Sequence, residues 1–141
     1  MTMKEGFKEV ERLGCPSDFE QLSLVEGLID RTCADMGVDE DNYGNVLIAV
    51  TEAFNNAIIH GNSLDKNCEV KVVVGATKEQ LCFSIIDSGK GFDFSNIADP
   101  TAPENIEKES GRGIYLMRHL ADEVEYANEG REVNIYFKKN D

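Results

Sequence analysis

Apolar side chains return at Phe19, Leu22, Val25, Leu28, Ile29 and Cys33, a spacing of three and four that predicts a helix. Pro16-Ser17-Asp18 ahead of it supplies a start, with Ser17 or Asp18 as N-cap, and Met36-Gly37 supplies the stop. Asp39 is placed to cap a second, longer helix whose first turn holds Glu40 and Asp41, where carboxylates favour the helix dipole. That helix is expected to run to about His60 and to end at Gly61-Asn62. The pattern then changes to β-rich runs over residues 68–75 (CEVKVVVG) and 80–87 (QLCFSIID), which predict an antiparallel pair. A turn-rich tract from Asp87 to Ser110 is too long for a simple connection, and Gly111-Arg112-Gly113 opens a third helix from Ile114 to about Ala121. Two more strands follow at 123–127 and 131–138, around Asn128-Glu129-Gly130, and residues 7–13 predict a strand at a sheet edge.

Helices that precede and interrupt such strands imply an α+β fold: a two-layer sandwich of a mixed, mostly antiparallel sheet with helices on one face. The sequence has no internal repeat, linker or low-complexity tract, so residues 1–141 read as a single domain.

Composition narrows the function. With 41% hydrophobic and 29% charged residues the chain is of the folded globular class. Its 27 acidic against 14 basic residues give a formal charge of −13, which repels phosphodiester backbones and argues against nucleic-acid binding. The same charge repels ATP, so a nucleotide site here needs local donors and a divalent cation. Cys15, Cys33, Cys68 and Cys82 form no CxxC pair, and with only His60 and His119 beside them a zinc site has no support. They read as free thiols of a reducing compartment. The amino terminus lacks the apolar core of a signal peptide and no segment reaches the length of a membrane span, so a soluble cytoplasmic protein is expected.

Three constellations carry candidate chemistry. On the second helix, Glu52, Asn56 and His60 recur every four residues beside the small Ala49 and Ala53. A carboxylate and a carboxamide one turn apart can present oxygens to one hard cation; a plain solvent-facing polar stripe is the competing reading. Asp87-Ser88-Gly89-Lys90-Gly91 follows the apolar strand directly. A carboxylate at that strand end can accept from an exocyclic amine while bare glycine backbone approaches a planar base; a simple turn is the alternative. Ser110-Gly111-Arg112-Gly113 offers unhindered N–H groups at a helix start, suited to phosphate, or merely a glycine cap. Neither a P-loop nor a Rossmann fingerprint is present, since Gly91 follows Lys90 and no GxGxxG links a strand to a helix.

Taken in order, these pieces resemble the histidine-kinase-like ATPases (the GHKL superfamily), and within them the bacterial anti-sigma-factor serine kinases. The likeness rests on residues 52–61 (EAFNNAIIHG), on Asp87–Gly91 as a DxGxG motif, and on residues 111–117 followed by Asp122-Glu123-Val124. It extends over nearly the whole chain, from about Ser17 to Lys138. The resemblance implies that Asn56 binds Mg²⁺, Glu52 acts as general base or water-orienting residue, and Asp87 reads adenine. Gly89, Gly91, Gly111 and Gly113 would then contact ATP, with Arg112 adding a charge. It further implies phosphorylation of a serine on a small antagonist (anti-anti-sigma) protein, sequestration of a sigma factor, and a homodimer. Asn55 and Gln21 depart from the residues usual in those kinases, which keeps open a non-catalytic ATP-binding module. A detached two-component kinase domain is disfavoured by the short lid and the missing phosphoacceptor helix.

Overall fold

The computed structural model describes residues 3–62, 64–89 and 117–140. Among the described residues five strands form one sheet: β1 (Lys8–Pro16), β2 (Glu69–Ala76), β3 (Gln80–Asp87), β4 (Glu123–Ala127) and β5 (Glu132–Lys138). Their spatial order is β1-β2-β3-β5-β4, and each of the four pairings is antiparallel. β1 stands at one edge, as its position in the sequence pattern suggested, and carries a register shift between Glu9 and Glu11.

Two helices, α1 (Leu22–Asp35) and α2 (Glu40–Asn56), cover one face of the sheet. Asp18, rather than Ser17, is the first cap: its carboxylate accepts from Glu20 N at 3.0 Å and starts a 3₁₀ turn over Phe19–Gln21 that leads into α1. Asp39 caps α2 as expected, accepting from Asn42 N at 2.8 Å. The α+β sandwich follows from the two periods meeting. Val72 and Val74 of β2, Phe83 and Ile85 of β3, and Ile135 and Phe137 of β5 point into one layer, against Leu28, Ile29, Val50 and Phe54 of the helices. Side chains of this size each contribute about 1.5–3 kcal/mol when fully buried. The opposite face is partly covered by the amino-terminal residues: the Phe7 ring meets Tyr136 edge-on at 5.3 Å, and Lys4 N donates to Tyr136 Oη at 3.0 Å.

α2 does not end as a regular helix. The residues that follow Asn56, Ala57–Gly61, form a π-helical turn closed by Asn62 N donating to Ala57 O at 2.8 Å. Such single wide turns insert an extra residue and re-aim the chain that follows. The third predicted helix is described only from Met117, with residues 117–120 helical. Among the described residues no helix is long and apolar enough to cross a membrane.

Candidate nucleotide site

Alternation along β3 sends Leu81, Phe83, Ile85 and Asp87 toward the helix layer, so the strand's last inward position holds a carboxylate instead of a hydrocarbon. Opposite it, α2 turns Ala53, Asn56 and Ala57 toward the same space. Gly130 and Val133, with Met117 and Tyr126, complete a small cleft of about 20 Å³. The small alanines leave the opening that larger side chains would fill.

Asp87 is 7% exposed. Burial pushes its carboxyl above the usual carboxylate range, opposed by a 3.0 Å hydrogen bond from Gly89 N to Oδ1 and by the nearby Arg131 guanidinium. Arg131 also fastens the loop: its Nε donates to Gly89 O at 2.7 Å, and its carbonyl accepts from Asp87 N at 2.8 Å.

Asn56 is 8% exposed, and its Nδ2 has no hydrogen-bond partner among the described residues. A buried polar atom left in that state costs about 1–3 kcal/mol, so its presence in a cleft points to a ligand-facing group. A half-turn of the carboxamide presents the oxygen to the same place.

Two glycines permit the close packing around Asp87. A β-carbon on Gly89 would fall 1.6 Å from the Gly61 carbonyl oxygen, and one on Gly61 would fall 2.2 Å from Asp87 Oδ2. The end of α2 and the turn after β3 therefore touch backbone to backbone. Beside them Asn62, 2% exposed, accepts from Ser88 N at 3.1 Å and donates from Nδ2 to Glu69 O at 3.2 Å.

Of the residues singled out in the sequence, Asn56 and Asp87 share the cleft, and Gly89 lies against Asp87. Glu52 is half-buried one turn before Asn56 and does not line the cleft. His60 does not line it either; it lies in the π turn that follows α2. Gly91, Gly111, Arg112 and Gly113 lie outside the described residues. Gly61, Asn62 and Arg131 were missed as site residues; Gly61-Asn62 carried only the signal of a helix stop. The four cysteines are free thiols, with burial raising Cys33 to about 11 and Cys82 to about 12. Among the described residues no group of three His, Cys, Asp or Glu side chains is arranged to hold a metal.

The cleft lies between the helix layer and the antiparallel sheet, with the Asn56 carboxamide and the Asp87 carboxylate both in its lining. The profile of the histidine kinase-like ATPase domain matches residues 15–137. The chain belongs to the histidine kinase-like ATPase family. Within it, the serine-protein kinase RsbW of Bacillus subtilis (strain 168) is 31% identical over 119 residues, covering 80% of this chain and 74% of the relative. RsbW of Bacillus cereus (strain Q1) is 28% identical over 129 residues, covering 87% and 79%. The resemblance to anti-sigma-factor serine kinases is thus borne out. The fold is also similar to that in the crystal structure of the RsbU and RsbW domains of Rv1364c from Mycobacterium tuberculosis. That structure matches with a TM-score of 0.61 at 15% identity, over 92% of this chain. This chain spans 32% of that longer protein.

Proposed function

We propose that this chain is an ATP-dependent protein-serine kinase that phosphorylates a small antagonist protein and alternately sequesters a sigma factor. The observation that carries the reading is the meeting of Asn56 and Asp87 in one cleft, in a chain that covers most of the RsbW kinases.

The residues present fit Mg-ATP. The Asn56 carboxamide is buried and unsatisfied at one end, as a group awaiting a ligand would be. Asp87 keeps one oxygen on Gly89 N and has its second for an exocyclic amine. Magnesium held at Asn56 would offset the negative charge of the triphosphate, which a chain of charge −13 otherwise repels. Asp87 selects adenine, and Gly61 and Gly89 leave its carboxylate the room to do so. Glu52, one turn away from Asn56 and outside the cleft lining, takes the proton from the incoming serine hydroxyl as general base. Gly91, Gly111, Arg112 and Gly113 are assigned to the phosphates on the strength of the resemblance. The protein acts in the cytoplasm as a homodimer, with the sigma factor and the antagonist as competing partners.

Incubating the purified protein with γ-labelled ATP and the products of neighbouring genes tests this. Label on a serine of one small partner is expected. Nucleotide binding without transfer to any cognate partner would replace the kinase by a regulatory ATP-binding module.

A further inference from the structure

Asn62 joins three elements at one point. Its backbone N–H closes the π turn on Ala57 O at 2.8 Å, and its carbonyl accepts from Asp65 N at 2.9 Å. Its side chain holds the first residue of β2 through Glu69 O at 3.2 Å, and the turn after β3 through Ser88 N at 3.1 Å. Ser88 is the residue next to Asp87, and its own Oγ accepts from Glu69 N at 3.2 Å. At 2% exposure Asn62 is shut off from solvent, with its side-chain oxygen and nitrogen each engaged.

Two other contacts make the location of Ser88 matter. Gly61 and Gly89 are in such close approach that the loop after β3 has almost no room to shift along α2. Arg131 holds Gly89 O from the β5 side at 2.7 Å. Asn62 supplies a second hold through Ser88 N, so the turn that carries the Asp87 carboxylate has two side-chain anchors.

The geometry points to Asn62 as a positioning residue for adenine recognition, fixing the Asp87 carboxylate by accepting the Ser88 N–H. It touches no nucleotide; it sets where Asp87 stands. The inference rests on the adenine role proposed for Asp87.

The test compares ATP with purine riboside triphosphate, which lacks the exocyclic amine, for the wild type and Asn62→Ala by calorimetry in magnesium. A hydrogen bond whose acceptor is displaced loses about tenfold in affinity. Asn62→Ala is expected to lose about that factor for ATP and little for the amine-less nucleotide, so that discrimination narrows. Asn62→Asp keeps the acceptor for Ser88 N–H. Burial against the Glu69 carbonyl keeps the new carboxyl protonated, so it donates to Glu69 O and accepts from Ser88 N–H as the asparagine did, and most of the discrimination should return. This second variant also serves where Asn62→Ala does not fold. Equal losses for both nucleotides, or discrimination kept in full by Asn62→Ala, would overturn the positioning role while leaving Asp87 as the adenine reader. A wild type that binds the two nucleotides equally would remove the adenine role itself, and the inference with it.

Discussion

Gly61 and Asp87 are in contact so close that a β-carbon on the glycine would lie 2.2 Å from the carboxylate Oδ2. No real side chain fits at that distance, so the Asp87 carboxylate must give way if Gly61 changes. Gly61→Ala is expected to displace Asp87 and the turn behind it, destabilising the fold by about 1–3 kcal/mol and weakening ATP binding at least tenfold. Thermal melts and calorimetry on the same preparation check both. An alanine variant with wild-type affinity and melting temperature would show that the two elements separate freely.

Asn56→Ala separates ligand binding from folding. The Nδ2 atom it removes has no partner among the described residues, so stability should change by less than about 1 kcal/mol or improve. The magnesium-dependent part of ATP affinity should vanish. Calorimetry with and without magnesium reads this directly, and unchanged magnesium dependence would remove Asn56 as the ligand.

Asp87 should impose a preference for ATP over GTP, because its carboxylate accepts from the adenine amine and guanine presents an oxygen at that edge. Sites built around one hydrogen-bonding group reject analogues lacking it by as much as ~10⁴-fold. Competition between the two nucleotides measures the ratio. Equal competition would give Asp87 some other task.

The same carboxyl makes a statement about pH. Burial, the largest influence, raises its folded-state value above the ordinary 3.8, against the pull of Gly89 N–H and Arg131. The folded state therefore holds this proton to higher pH than the unfolded chain does. The stability contributed by the protonated group is complete below 3.8 and is lost as pH rises through the raised value. Asp87→Asn, which does not ionise, should flatten the stability profile across that window and leave the protein more stable than wild type at neutral pH. Denaturant unfolding at a series of pH values checks the sign; a variant less stable at neutral pH would contradict it.

Glu52→Gln distinguishes kinase from binder. A general base acts on the proton in flight, so its loss appears in the rate and leaves ground-state binding alone. The variant should bind Mg-ATP as the wild type does and transfer phosphate ~10²–10⁴-fold more slowly. Transfer at the wild-type rate would remove Glu52 from the chemistry.

The sequence by itself determined the elements, because their signals are local. Apolar spacing of three and four built α1 and α2, Asp39 marked a helix start, and alternation through Leu81, Phe83 and Ile85 put Asp87 on the inward side of β3. The same motifs were enough to show what kind of site to look for. The four-residue recurrence of Glu52, Asn56 and His60 was real in the sequence, but His60 lies in the π turn that follows α2 and does not line the cleft. Hydrogen bonds that close one residue late leave no mark on the apolar period. Only the tertiary structure decided that Asn56 and Asp87 share a cleft, that Gly61 must be a glycine, and that Asn62 and Arg131 hold the turn after β3. Each of those facts is a contact between residues distant in the chain. Side-chain period records which way a residue faces its own element's neighbours; what stands opposite is fixed only when the layers pack.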